Sequence, residues 1–247
     1  MALGEIRNAR GERFDYAFAP GATGRRGVVV IGHGVTSHKD RPWLVALGDA
    51  LREAGIASLR FSFAGNGASE GRYEDATIHK EVDDLGSVLD ALADLDPIYA
   101  GHSMGGAVGV LRAALDERLR ALVSLAGMVH VREFMQVHFG HLRPGRDVML
   151  GKPHCPLTQA FLDDALAIGS VLEPAARVRV PWLIVHGTAD EIVPLRDSRD
   201  VHAAAGGRAE LLELEGVDHR FTGHEGAMAA AVVRWLEGVL ASEAPGT

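Results

Sequence analysis

The 247-residue sequence contains a single cysteine, Cys155. One cysteine excludes an internal disulfide and a metal site built from several thiolates, and it makes a reducing cytoplasm the expected location. No apolar run approaches the roughly 20 residues that a membrane-spanning helix needs, so we expect no membrane span. The amino-terminal residues carry charges early and lack the apolar stretch of a signal peptide.

The sequence also contains fewer basic than acidic residues. The 25 Lys and Arg residues stand against 33 Asp and Glu residues, which gives a formal net charge of −8. This balance argues against nucleic acids and anionic membranes as partners, because both select for basic surfaces. Neither a Walker loop nor an HExxH motif is present, and we expect no cofactor and no metal. The sequence leaves a homodimer open.

Short apolar runs alternate with amphipathic segments along most of the chain. A weakly alternating stretch over residues 12–18, after a turn signal, predicts a leading antiparallel hairpin. Continuous apolar runs are typical of strands buried on both faces. Strands separated by helices indicate an α/β fold with a mostly parallel sheet and helices on both faces. The predicted strands are residues 28–31, 56–63, 97–100, 119–125, 182–185 and 209–214.

Three helices and one irregular segment complete the outline. Helices are predicted over residues 44–54 and 225–240, and a third from an apolar stripe at alternating steps of four and three residues. Residues 128–178 hold no strong strand and contain several prolines and histidines, which predicts a small cap inserted into one domain spanning residues 1–247. The members of the stripe are Ile78, Val82, Leu85, Leu89 and Leu92.

Two serines, Ser69 and Ser103, each lie in a Gly-x-Ser-x-Gly pattern. A nucleophilic serine of this kind needs a sharp turn from a strand into a helix, with small neighbours that allow the strained backbone. Ser103 follows the strand at 97–100 and precedes the small residues 105–109, which favours this turn. Ser69 is followed by a charged loop, so it is interpreted as a turn residue and Ser103 as the nucleophile.

A serine hydroxyl needs a base to take its proton and an acid to hold that base in one tautomer. In folds that carry this turn, the acid and then the base follow the serine, each in a loop after a strand. Asp190 follows the strand at 182–185, and His219 follows the strand at 209–214, which predicts Asp190 as the acid and His219 as the base. His224 is the rival base, whereas Asp218 and Glu191 are poorer candidates for the acid.

Acyl transfer also needs two backbone N–H groups to hold the negative oxygen of the intermediate. One is predicted from Met104, the residue after the nucleophile. The other is predicted from Val35, in the loop after the strand at 28–31.

Together these motifs resemble the α/β-hydrolase superfamily over roughly residues 27–240, with the cap as the gap. The nearest-looking branch is the small bacterial cinnamoyl/feruloyl-type esterases, beside serine aminopeptidase-like and monoglyceride-lipase-like hydrolases. The resemblance implies the α/β-hydrolase fold and a triad of Ser103, Asp190 and His219. It is carried by His33-Gly34, Gly65-Asn66-Gly67-Ala68-Ser69-Glu70-Gly71, Gly101-His102-Ser103-Met104-Gly105-Gly106, His186-Gly187-Thr188-Ala189-Asp190 with Val193-Pro194, and Gly216-Val217-Asp218-His219-Arg220-Phe221.

The chain departs from that branch in three places. Ser62 stands where the family often has Asp, and Asn66 where it often has His. Met104 replaces a Gln that often follows the nucleophile, which weakens the transfer of hydroxycinnamate specificity.

The expected function is hydrolysis of a small-molecule carboxylic ester, of short-chain or aryl type, through an acyl-enzyme. The expected substrate contacts are His33, His102, Phe134, Phe139 and Phe161, and a few of the cap's other apolar residues are expected to join them. These other residues are Met135, Val137, Met149, Leu150, Leu157, Leu162 and Leu166.

Three alternatives stay open. An aminopeptidase acting on N-terminal proline would need carboxylates to hold the substrate ammonium, and Asp163, Asp164 and Glu173 are candidates. A hydrolase of carbon–carbon bonds is the second alternative. A ligand receptor or an inactive scaffold on the same fold is the third, although such a protein could dispense with the triad.

Overall fold

One seven-stranded sheet organises the part of the chain that the structure describes. The computed structural model describes residues 3–23 and 27–242. The strand order is β1-β3-β2-β4-β5-β6-β7; β1 is antiparallel to β3, and all the other neighbours are parallel. The strands are β1 (Tyr16–Ala19), β2 (Gly27–Gly32), β3 (Ala57–Phe61), β4 (Asp96–His102), β5 (Ala121–Leu125), β6 (Trp182–Gly187) and β7 (Ala209–Leu214).

Helices cover both faces of this sheet. On one face, α1 packs against α8, and on the other α2 packs against α3. Thr77 begins α2, because its hydroxyl accepts a hydrogen bond from the Lys80 N–H and so caps the helix. The helices are α1 (Pro42–Glu53), α2 (Ile78–Ala91), α3 (Met104–Ala113), α4 (Val131–Phe139), α5 (Gln159–Ile168), α6 (Leu172–Arg177), α7 (Leu195–Ala204) and α8 (Glu225–Ser242).

The strand β2 is apolar along its whole length because each of its faces meets a different core. In β2, Val28 and Val30 belong to the core under α2 and α3, whereas Val29 and Ile31 belong to the core under α1 and α8. Side chains alternate between the two faces of a strand, so a strand covered on both sides has no position where a side chain meets solvent. The predicted mostly parallel sheet with helices on both faces is confirmed.

All six strands predicted from apolar runs are present, with ends that differ by up to two residues. The leading antiparallel hairpin is present in a short form: Arg7 and Arg13 form an antiparallel bridge across the predicted turn, and the Phe14 N–H donates to the Ile6 carbonyl oxygen at 2.9 Å. Beyond it, β1 pairs along the sheet edge with β3, with Tyr16 opposite Phe61. Pairing with the distant β3 is favoured because it lets Phe14 pack edge-on against Phe61, with 5.6 Å between the ring centroids.

The segment between β5 and β6 carries α4, α5 and α6 and no strand. Its two ends are joined where the Val171 N–H donates to the Val129 carbonyl oxygen at 3.1 Å. It is also tied to α2, because the His79 ring and the Asp164 carboxylate lie 2.6 Å apart. In the described part of the chain, no helix combines the length and apolar character that crossing a bilayer requires.

Candidate active site

Ser103 occupies the turn between β4 and α3. Its backbone has φ 56° and ψ −120°, a conformation that L-residues rarely adopt and that is found where function demands it. The turn is possible only because its neighbours lack side chains. A Cβ on Gly101 would lie 2.2 Å from the Gly105 carbonyl oxygen, and one on Gly105 would lie 2.6 Å from the His33 carbonyl oxygen. The strained turn predicted at Ser103 is therefore present.

Ser69, the serine of the other Gly-x-Ser-x-Gly pattern, has a different place. Its hydroxyl accepts a hydrogen bond from the Asp15 N–H at 2.8 Å and donates to the Ser62 carbonyl oxygen at 2.6 Å. Both bonds tie a loop to the edge of the sheet. The Ser69 oxygen thus serves a turn, as its charged surroundings in the sequence indicate.

Asp190 and His219 meet at the carboxyl-terminal edge of the sheet, in the loops after β6 and β7. The His219 Nδ1–H donates to Asp190 Oδ2 at 2.8 Å. The other oxygen, Oδ1, accepts the backbone N–H groups of Ile192 at 2.8 Å and Val193 at 2.9 Å. Because these donors hold the carboxylate in place, the imidazole that it orients is held as well.

A second imidazole, that of His186, also contacts this carboxylate. Its Nε2 lies 3.0 Å from Asp190 Oδ2 and 2.9 Å from the Val193 carbonyl oxygen. Both partners are acceptors, so Nε2 carries a proton and donates. Burial raises the pKa of Asp190, but the hydrogen bonds from His186 and His219 outweigh it and hold that pKa below its usual value. Asp190 is therefore ionised at any pH near neutrality.

The rival side chains lie elsewhere. His224 is exposed, and its Nδ1 lies 3.1 Å from the Thr222 carbonyl oxygen. The Asp218 carboxylate accepts the backbone N–H groups of Arg220 at 3.1 Å and Thr222 at 2.8 Å, so it braces the loop that carries His219. Glu191 is exposed.

The loop after β2 approaches the serine closely. A Cβ on Gly34 would lie 2.8 Å from the Ser103 Cβ and 3.2 Å from its Oγ. Within residues 3–23 and 27–242, the next N–H along, that of Val35, donates to no protein acceptor. Met104 is the first residue of α3, where an N–H has no acceptor inside the helix. Both predicted donors thus lie beside Ser103, and neither N–H group has an acceptor among the described residues.

Ser103 and His219 line the same cavity, whose volume is about 520 Å³. The cavity lies between the loop after β2, the turn at Ser103 and the segment between β5 and β6. Its wall is formed by Gly34, Val35, Thr36, Ser37, Arg41, Trp43, His102, Ser103, Phe134, Leu150, Lys152, Ile192, His219 and Arg220.

Of the five expected substrate contacts, His102 and Phe134 line this cavity. The other three belong to the interior. His33 is fully buried, and its Nε2 accepts the Phe63 N–H at 3.1 Å. Phe139 and Phe161 pack in the core under the segment between β5 and β6, because the apolar faces of α4 and α5 turn toward the body of the protein. Of the other apolar residues expected from the cap, Leu150 lines the cavity.

The two buried histidines beside the serine are neutral. Burial lowers the pKa of His33 to about 4, and burial together with repulsion between its own charged form and the neighbouring His219 ring lowers that of His102 to about 3. The His102 Nε2–H donates to the His219 carbonyl oxygen at 2.9 Å, so this ring helps to hold the loop that carries the base.

The carboxylates considered for binding an ammonium group do not line the cavity. Asp164 contacts His79, Asp163 accepts a hydrogen bond from Gln159 at 2.7 Å, and Glu173 forms an ion pair with Arg177. Instead, three cations line it among the described residues: Arg41, Lys152 and Arg220. Sequence reasoning missed these three and the contact of His186 with Asp190, because no local spacing connects residues from such distant parts of the chain. The signal for His186 was its place four residues before Asp190 at a strand end.

Comparison with known proteins adds a family and a fold. A family model described as "Serine aminopeptidase, S33" matches residues 23–154. An uncharacterized protein of Mycobacterium tuberculosis is 29% identical over 183 residues, which are 73% of this chain and 59% of that protein. The human mitochondrial palmitoyl-protein thioesterase ABHD10 is 28% identical over 181 residues, 68% of this chain and 58% of that protein. The chain thus spans under two thirds of these relatives' length.

Solved structures match over nearly the whole chain. Est1E from Butyrivibrio proteoclasticus, solved with ferulic acid bound, has a TM-score of 0.86 and 25% identity, covering 96% of this chain and 99% of its own. Mouse alpha/beta hydrolase domain-containing protein 10 has a TM-score of 0.79 and 23% identity, covering 98% and 99%. These likenesses confirm the α/β-hydrolase fold.

Proposed function

Because the chain belongs to the serine aminopeptidase S33 family of α/β-hydrolases, we propose that it is a serine hydrolase that cleaves carboxylic esters through an acyl-enzyme. Ser103 is the nucleophile, His219 the general base and acid, and Asp190 the group that orients the base. The N–H groups of Val35 and Met104 form the oxyanion hole. No cofactor takes part in this proposal.

The reaction has two halves. His219 Nε2 takes the proton of Ser103 Oγ as that oxygen attacks the ester carbonyl carbon, and the carbonyl oxygen becomes an anion held by the two N–H groups. The intermediate collapses, the carbon–oxygen bond to the alcohol breaks, and His219 returns the proton to the leaving oxygen. Water, deprotonated by the same imidazole, then attacks the acyl carbon. The bond from that carbon to Ser103 Oγ breaks and His219 returns the proton to Oγ, which releases the carboxylic acid and restores the free serine.

One observation carries the proposal: Ser103 in its strained turn and His219, bonded to Asp190, line one cavity. The ionised carboxylate holds the proton of His219 on Nδ1, which leaves Nε2 free to accept the proton of the serine. A structural role alone would not require three side chains from separate loops to converge in this way.

Esters fit the cavity better than peptides with a free amino terminus. Such a peptide carries an ammonium group, and the described residues of the cavity wall offer three cations and no carboxylate to receive it. The relatives agree in chemistry, since Est1E was solved with ferulic acid and ABHD10 is named as a thioesterase. We propose an ester because an ester, unlike a peptide with a free amino terminus, need not carry an ammonium group.

The segment between β5 and β6 is proposed to act as the cap of this single-domain enzyme. It supplies Phe134, Leu150 and Lys152 to the cavity wall, so it contributes to substrate choice. The lone cysteine supports a proposed location in a reducing compartment, the cytoplasm.

The test is hydrolysis of p-nitrophenyl esters of increasing acyl length and of hydroxycinnamate esters by the wild type and by Ser103→Ala. The wild type should turn over at least one ester, and Ser103→Ala should lose about 10³-fold or more in kcat. Ser69→Ala, which removes the other patterned serine, serves as the matched control and should retain activity. Turnover that survives in Ser103→Ala would contradict the mechanism, and cleavage of a proline arylamide in place of esters would favour the aminopeptidase.

A further inference from the structure

The three cations of the cavity come from separate parts of the chain. Arg41 lies just before α1, Lys152 in the segment between β5 and β6, and Arg220 immediately after His219. Among the described residues that line the cavity, none is Asp or Glu. The protein as a whole carries a net charge of −8, so this wall has the opposite sign to the molecule that holds it.

Within the described ranges, none of the three cations has a carboxylate within 4.0 Å. Lys152 Nζ donates to the Thr36 carbonyl oxygen at 2.6 Å, and Arg41 Nε donates to Ser37 Oγ at 3.0 Å. These neutral acceptors fix the side chains without cancelling their charge. By contrast, Arg112 and Arg118 share the Asp116 carboxylate near the end of α3.

The positive charges also act on one another. Burial lowers the pKa of Arg41, and the charge of Arg220 lowers it further. Burial likewise lowers the pKa of Lys152, and the charges of Arg41 and Arg220 lower it further. Arg220 also interacts with the nearby Asp218 carboxylate, whose pKa its charge helps to lower. Like charges held together with no carboxylate in contact destabilise the folded protein, and an anion placed among them relieves that repulsion.

The amino-terminal end of α1 adds to the same field. α1 begins at Pro42 with no side-chain cap and no acidic residue in its first turn, so its partial positive charge is not offset. Arg41 and Trp43, on either side of that start, both line the cavity.

We propose that the cavity beside Ser103 selects esters that carry a second, anionic group, a carboxylate or a phosphate, and that Arg41, Lys152 and Arg220 bind this group. The inference rests on the proposed ester hydrolysis, whose substrate class it names. The anion lies in the same cavity as the reacting carbonyl, so it belongs to the acyl part or to the alcohol of the same small molecule. Charge-assisted hydrogen bonds from arginine suit both anions.

The test compares esters in pairs that differ in charge. In the first pair, the butyrate ester of 4-hydroxybenzoate is compared with the butyrate ester of methyl 4-hydroxybenzoate, which is neutral. In the second pair, a phosphate takes the place of the carboxylate. A third pair, the 4-nitrophenyl esters of adipic and hexanoic acid, places the anion on the acyl side. Each kcat/KM is divided by the alkaline hydrolysis rate of the same ester, which removes differences in the leaving group.

We expect the wild type to prefer the anionic member of at least one pair by about tenfold or more. Arg41→Gln and Lys152→Met should each lower that preference at least about fivefold, and 0.5 M salt should lower it too, since salt screens these charges. The matched control Arg52→Gln removes an exposed arginine of α1 that lies beside Asp49 and Glu53, and it should leave the preference unchanged. Equal specificity within all three pairs would overturn the inference.

Binding to Ser103→Ala separates this inference from the proposed hydrolysis. In that variant the anionic ester should bind at least about tenfold more tightly than its neutral partner, measured by calorimetry. Turnover of neutral esters without any anionic preference would leave the hydrolase in place and refute the anion site. Tight anion binding without turnover of any ester by the wild type would support the anion site and refute ester hydrolysis.

Discussion

Replacing Asp190 with asparagine should nearly abolish hydrolysis, and the structure shows why the fold should survive it. The Asp190 carboxylate accepts the backbone N–H groups of Ile192 and Val193 on Oδ1 and the imidazoles of His186 and His219 on Oδ2. The two backbone donors cannot turn away. The amide oxygen of the substituted side chain must therefore face them, and its NH₂ group must face the imidazoles.

An NH₂ group opposite His219 Nδ1 requires that nitrogen to accept. The proton of the imidazole then moves to Nε2, the nitrogen that should receive the proton of Ser103. In serine hydrolases a base held in the wrong tautomer loses about 10⁴-fold in kcat, which corresponds to about 5.5 kcal/mol of transition-state stabilisation. Loss of the charge-assisted bonds should also lower the free energy of unfolding by about 1–3 kcal/mol.

The assay is kcat and kcat/KM on the best ester found for the wild type, with urea unfolding of the same samples. Asp218→Asn is the matched control: its carboxylate lies in the same loop as His219 but bonds to Arg220 and Thr222 and not to the imidazole, so activity should stay within a few-fold of the wild type. A folded Asp190→Asn that keeps more than a tenth of the wild-type kcat would refute the assignment of the acid. So would an equal loss in Asp218→Asn.

Two further predictions concern packing and pH. Gly34→Ala would place a methyl group 3.2 Å from Ser103 Oγ and should lower kcat/KM about 10²-fold or more. The control Gly238→Ala lies in an open part of α8. It should raise the free energy of unfolding by about 0.5–1 kcal/mol and leave activity unchanged. Burial holds the pKa of His102 at about 3, below the unfolded value of about 6.5. The folded protein therefore keeps its full stability above pH 6.5 and loses stability as the pH falls from 6.5 toward 3. At pH 5 the free energy of unfolding should be lower by about 2 kcal/mol on this account. The free energy of unfolding of His102→Gln should fall less between pH 7 and pH 5; an unchanged slope would contradict the burial argument.

Many of the strands and helices could be predicted because they depend on local sequence patterns. A strand covered on both faces has no position that meets solvent, so β2 and the first four residues of β6 stand out as apolar runs. The apolar stripe from Ile78 to Leu92 identifies α2 because residues about 3.6 positions apart lie on the same face of a helix. The pairing of the edge strand β1 with β3 could not be predicted, since an alternating pattern does not say which strand lies beside it.

The triad candidates could be predicted for a related reason. A serine between a strand and a run of small residues indicates a strained turn, and an acid or histidine just after a parallel strand must lie at the same sheet edge. Ser103, Asp190 and His219 each satisfy such a local rule. The order of the strands then brings them together without further information.

The composition of the cavity was decided by the tertiary structure alone. Phe139 and Phe161 look like substrate contacts in a sequence, but the way α4 and α5 pack turns them into the core. Arg41, Lys152 and Arg220 share no spacing, and their common place follows from three loops meeting at one edge of the sheet. The periodicity of a segment shows which of its faces is buried. It does not show which distant segments pack against that face, and a binding site depends on those segments.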